Sequence, residues 1–188
     1  GIAFDGDGDR IGVIDEKGNV LSGDELLLIF AKNLLKNEKV KIIGDVKCSQ
    51  VLFDEIEKMG GKSIMSQTGH SHIKVNMKKH SAKLAGEMSG HIFFADKYFG
   101  FDDALYASIR IIDILTNTDL TLSELIKSVP KVFNTPEIRI DCDDKEKFSI
   151  IQKVSENLIK SGKEIINIDG VRVKNHDGWW LLRASNTQ

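Results

Sequence analysis

Short apolar runs alternate with longer amphipathic ones through the first two thirds of the chain. IAF at 2–4 and the β-branched run RIGVID at 10–15 read as two strands flanking an acidic loop. Ser22 and Glu25 have capping-box spacing, in which side chains satisfy the free N–H groups that open a helix, here one running through LLLIFAKNLLK. VKIIGD (40–45) predicts a buried strand. SQVLFDEIEKM (49–59) predicts an amphipathic helix stopped by Gly60 and Gly61, and KSIMSQ (62–67) the next strand. A short helix is expected over 72–80, then a turn and a strand near KLAGE. A strong helix follows over 102–115, with apolar residues at 105, 109, 112 and 115. Thr121 and Glu124 form a second capping box, and Pro130 closes that helix. This strand–helix–strand alternation predicts an α/β fold, a parallel or mixed sheet with covering helices.

The texture changes near Val132, where we expect a domain boundary. FNTPEIRIDC reads as a strand and DKEKFSIIQKVSENLIKSG as a helix ended by Gly162. EIINIDG, VRVKN and WWLLRAS read as three strands joined by tight turns, with the Trp179–Trp180 pair split between core and surface. Strands linked this directly predict a smaller α+β unit with an antiparallel sheet.

Composition narrows the class. The 188 residues are 41% apolar and 29% charged with two prolines, which is ordinary globular usage. A net charge of −2 with scattered basic residues argues against nucleic acid or an anionic membrane as partner. Cys48 and Cys142 stand alone, with no CxxC spacing, which fits the reducing cytoplasm. No run of 18 apolar residues occurs, and the first residues lack a signal-peptide pattern. The chain opens on Gly1 and stops at SNTQ directly after an apolar strand, so both ends are expected to be cut from something longer.

The acidic loop carries the strongest chemistry. Asp5, Asp7 and Asp9 alternate with glycines in FDGDGDR, so an extended segment points all three carboxylates one way. Ionised carboxylates that close repel strongly and call for a divalent cation. All-oxygen ligands select a hard ion, Mg²⁺ or Ca²⁺. An EF-hand loop is the sharpest rival, since Glu16 is twelfth from Asp5, but its sixth position holds Arg10 where glycine is needed. A solvated surface loop is the plain alternative. Arg10 beside the ion suits a phosphate-bearing substrate and favours Mg²⁺.

Three weaker constellations follow. TGHSHIK (68–74) sets two histidines and a lysine after a strand. GEMSGH (86–91) sets Glu87, Ser89 and His91 between glycines, where a carboxylate and a hydroxyl could bracket vicinal sugar hydroxyls. RASNT (183–187) offers an arginine fork with hydroxyl and backbone donors, a workable phosphate cradle. Each alone is as well explained by an ordinary polar loop.

Taken together and in order, these segments resemble the α-D-phosphohexomutase superfamily, specifically its phosphomannomutase/phosphoglucomutase branch. AFDGDGDR is similar to its magnesium loop, DVKCS and TGHSHIK to its basic active-site segments, GEMSGH to its sugar-specificity loop and RASNT to its phosphate-binding loop. The resemblance implies residues 1–15 as the end of a second domain, 16–131 as a third and 132–188 as an incomplete fourth. The first domain with its phosphoserine is expected to be missing, since no TASHNP-like stretch occurs. It implies Mg²⁺ on Asp5, Asp7 and Asp9, with Arg10, Lys47, His70 and His91 around the reacting group and His91 or Lys47 as proton carrier. Glu87 and Ser89 would grip the sugar, and Arg183, Ser185, Asn186 and Thr187 the non-reacting phosphate. The implied substrate is a mannose or glucose phosphate, and these residues alone are expected to show no turnover. A non-catalytic binding remnant and a calcium-binding structural domain are the competing expectations.

Overall fold

β1 (Ile2–Phe4) pairs antiparallel with β2 (Ile11–Ile14), and β2 with β3 (Val20–Leu21), in a computed structural model that describes residues 1–185. The acidic loop is the connection between β1 and β2. α1 (Gly23–Leu35) then starts at the expected capping box, with the Ser22 N–H donating to the Glu25 carboxylate at 2.8 Å.

β4 (Lys41–Asp45), α2 (Gln50–Lys58), β5 (Lys62–Ser66), α3 (His70–His80), β6 (Leu84–Gly86) and β7 (Ile92–Phe94) build the main sheet and two of its covering helices. Strand order is β5-β4-β6-β7, with the first three parallel and β7 antiparallel. Successive side chains of β4 enter opposite layers. Ile42 joins the larger core with α1, α2 and α4 (Ala104–Thr116), while Ile43 joins Ile73 and Met77 of α3. A strand buried on both faces shows no polar alternation, which is why VKIIGD reads as one apolar run.

Three details differ from the sequence reading. β7 was not expected: its IFF is only three residues long and wholly buried, so it offers no alternation to detect. α4 buries Ala104, Ala107, Ser108, Ile111 and Ile114, whereas Leu105, Ile109 and Ile112 are 61%, 63% and 49% exposed. Both stripes have helical spacing, and the one that faces β2 and β7 is the one buried. The expected strand at 133–142 does not form. It has the alternation of a strand, but no described segment pairs with it, and Ile138 and Ile140 are each 77% exposed.

α5 (Leu122–Ile126) closes the first unit, Gly1–Pro130, with its own capping bond from Thr121 N–H to Glu124 at 2.8 Å. The second unit starts at Lys131. It consists of α6 (Lys147–Lys160) on an antiparallel sheet of β8 (Ile165–Ile166), β9 (Val171–Asn175) and β10 (Gly178–Leu182), ordered β10-β9-β8. Val171, Arg172 and Val173 are all buried, the arginine lying 3.8 Å from the centre of the Trp179 ring. Among the described residues no helix is long and apolar enough to cross a membrane.

Candidate active site

The acidic loop curls so that one oxygen from each of Asp5, Asp7 and Asp9 lies within 4.8 Å of the others. Arg10 holds Asp5 at both oxygens, Nε to Oδ2 at 2.6 Å and the backbone N–H to Oδ1 at 3.1 Å. That side-chain bond keeps the Asp5 carboxyl well below the usual carboxylate range. Asp9 is pushed the other way, mainly by burial, and its Oδ1 is buried with no hydrogen-bond partner. Converging carboxylates, one with an oxygen that no donor satisfies, suit a hard dication. The Gly8 carbonyl accepts from Ala104 N–H at 3.1 Å, which ties the loop to the start of α4.

The loop after β6 docks on this site through its backbone. Ile11 N–H donates to the Gly90 carbonyl at 3.1 Å, and Arg10 and His91 form an isolated antiparallel bridge. Gly90 has φ +96°, and a Cβ there would stand 2.7 Å from the Ile11 carbonyl oxygen, so only glycine fits. His91 is thereby set with Nδ1 3.7 Å from Asp9 and 3.4 Å from Asp102. Neither contact is a hydrogen bond.

His70 begins α3, two residues earlier than the sequence pattern indicated, and its ring stacks on His91 with centroids 6.1 Å apart. Lys74 Nζ lies 3.0 Å from His70 Nδ1 and 3.0 Å from Asp102 Oδ1. The sequence pattern alone gives Asp102 and Lys74 no role. The four-residue interval from His70 to Lys74 on a helix was the available signal. Nothing local marks Asp102, which a bridge to Phe93 brings in.

The remaining expected residues of this unit follow the C-terminal ends of its parallel strands, where open α/β sheets bind ligands. Lys47 lies in the turn after β4, and its charge counteracts the rise that burial imposes on the Asp45 carboxyl. Asp45 accepts from Cys48 N–H at 3.1 Å, Thr68 Oγ1 at 3.3 Å and Met88 N–H at 3.4 Å, joining three loops through one carboxylate. Glu87 is 2% exposed and accepts from Gly69 N–H at 2.5 Å, with burial pushing its carboxyl up. In this structure Glu87 therefore ties the loop after β6 to the start of α3. Ser89 is exposed and shares a shallow depression with Asp5 and Arg10.

In the second unit, Arg183 Nη2 pairs with Asp169 at 3.2 Å while its Nε is buried without a partner. The Ser185 carbonyl accepts from Lys147 Nζ at 2.8 Å. Asn186 and Thr187 lie outside the described residues.

Comparison with known proteins gives this arrangement a family. A model of phosphoglucomutase/phosphomannomutase alpha/beta/alpha domain III matches residues 22–133, and one of the C-terminal domain matches 137–188. This chain belongs to the phosphoglucomutase/phosphomannomutase family. A phosphomannomutase/phosphoglucomutase of Pseudomonas syringae is 48% identical over the whole chain, which covers 40% of that relative. A phosphoglucomutase of Neisseria gonorrhoeae is 44% identical, again over the whole chain and 41% of the relative. The crystal structure of a family protein from Burkholderia thailandensis superposes with a TM-score of 0.90 at 40% identity, over the whole chain and 40% of that structure. The chain thus spans about two fifths of the length of the relatives it matches.

Proposed function

We propose that this chain supplies the metal loop, sugar loop and distal phosphate loop of a mutase that moves a phosphoryl group between the 1- and 6-positions of a mannose or glucose phosphate. On this reading residues 1–15 close the second of four domains, 16–131 form the third and 132–188 the fourth. The observation that carries it is the convergence of Asp5, Asp7 and Asp9, with the orphaned Asp9 oxygen, directly beside Arg10 and His91.

Asp5, Asp7 and Asp9 would hold Mg²⁺, which would supply neutralisation of the charge on the transferring group. Arg10 spends Nε on Asp5, which leaves its two terminal nitrogens for phosphate oxygens. His91 turns Nδ1 toward Asp9 and Asp102, so its Nε2 is the atom that carries the proton of the attacking hydroxyl; Lys47 is the second candidate. Ser89 and Glu87 grip sugar hydroxyls, and His70, stacked on His91, lies beside the reacting group. Arg183, held by Asp169, binds the phosphate that does not react, together with Ser185, Asn186 and Thr187. The serine that carries the phosphate belongs to the rest of the enzyme, and the cytoplasm is the setting.

Two measurements test this. These 188 residues alone should not convert mannose 1-phosphate or glucose 1-phosphate, whereas joining them to the serine-bearing part of a relative should give Mg²⁺-dependent turnover that Asp9→Asn abolishes. Calorimetry should find Mg²⁺ binding to the chain that is weak, because a phosphate ligand is missing, and lost in Asp7→Asn. Turnover by the chain alone, a preference for Ca²⁺, or indifference of residues 86–91 to sugar phosphates overturns the reading. Sugar-phosphate binding without turnover in the joined enzyme leaves a binding module instead.

A further inference from the structure

We infer that Lys74 is a positioning residue that fixes the tautomer of His70, and that Asp102 holds Lys74 in place to do so. Lys74 lies four residues after His70 on α3, so both project from one face one turn apart. Its Nζ is 3.0 Å from His70 Nδ1. An ammonium only donates, so this contact requires the lone pair on Nδ1 and puts the imidazole proton on Nε2.

Asp102 makes the arrangement a choice between two states. Its side chain is 8% exposed, and it is anchored by the Phe93 bridge on one side and by Asp103, the N-cap of α4, on the other. Asp102 Oδ1 accepts from Lys74 at 3.0 Å, while Oδ2 lies 3.5 Å from His70 Nδ1. Without the lysine that carboxylate is the nearest partner of Nδ1, and it would draw the proton there. The two tautomers are opposite reagents toward a ligand: with Lys74 present, neutral His70 offers Nε2–H as a donor to a phosphate or hydroxyl oxygen. Without it, Nε2 becomes an acceptor. The significance of that donor for a sugar phosphate rests on the proposed function, but the tautomer itself does not.

The test uses the free chain, without metal or sugar. Two-bond ¹H–¹⁵N couplings of the His70 ring, recorded where the imidazole is neutral, should show the Nε2–H form in the wild type. Lys74→Met should shift the ring toward Nδ1–H, and Lys74→Met with Asp102→Asn should return it to the mixture of a solvent-exposed histidine. Lys74 is one-third exposed, so an amide spectrum otherwise unchanged will report an intact fold. An Nδ1–H form in the wild type, or the same ring pattern in Lys74→Met, overturns the inference. Persistence of Nδ1–H in the double variant overturns the part given to Asp102. None of these outcomes depends on whether the chain binds Mg²⁺ or turns over phosphosugars.

Discussion

Glu87 is a carboxylic acid in surroundings that favour its neutral form, since burial raises its pKa above the ordinary 4.5. Its stabilising contribution is therefore complete below that value and declines as pH rises through the raised folded-state value. Glu87→Gln keeps an acceptor for Gly69 N–H but cannot ionise. The variant should gain stability relative to wild type as pH rises above 4.5, measured as the difference in urea midpoints; a difference that shrinks with pH contradicts this. Glu16 shows the opposite sign. Its hydrogen bond from the Ser123 hydroxyl lowers it to about 2, so its contribution is present above 4.5 and lost as pH falls toward 2. Ser123→Ala should return the Glu16 pKa toward 4.5, read by NMR titration. At this scale the sequence names the residues but not their environments. DGDGD stands out in the sequence because like charges at alternate positions repel whatever the fold. Glu87 resembles any loop glutamate until β6 and α3 bury it.

Elements form where local signals and packing agree. Both capping boxes were readable, because cap and partner lie three residues apart and need no distant contact. The loop carrying His91 depends instead on an approach between elements remote in sequence. Gly90→Ala combines strain at φ +96° with the 2.7 Å clash on Ile11, and should cost about 1–3 kcal/mol of unfolding free energy. The same variant should move the His91 ring away from Asp9, visible as changed ring shifts; an unperturbed His91 would argue that the loop is held by something else. Gly23 is a second close approach, since a Cβ there would stand 2.3 Å from the Glu87 carbonyl. α4 carries the lesson in reverse: two apolar stripes share one helical period, and only the neighbours choose between them.

Across the whole molecule the two units differ in what they bury. The first has apolar layers on both faces of its main sheet. Among the described residues of the second, Val171 and Val173 are the buried hydrophobics, while Phe148, Ile150 and Ile159 of α6 stay 58%, 41% and 59% exposed. A unit with so little buried apolar surface should unfold first. Both tryptophans, Trp179 and Trp180, lie in it, so their fluorescence should change at lower urea than the far-ultraviolet circular dichroism dominated by the first unit. Coincident transitions would mean that the units unfold as one. By itself the sequence determined the α/β alternation, the change of texture near Val132, the capped helices and the acidic loop, because each rests on periodicity or charge within a few residues. Only the tertiary structure decided that Asp102 and Lys74 join His70 and His91, that Glu87 turns inward, and that 133–142 forms no strand among the described residues. Those outcomes depend on contacts between residues distant in sequence, and a pattern along one chain does not record which neighbours it will meet.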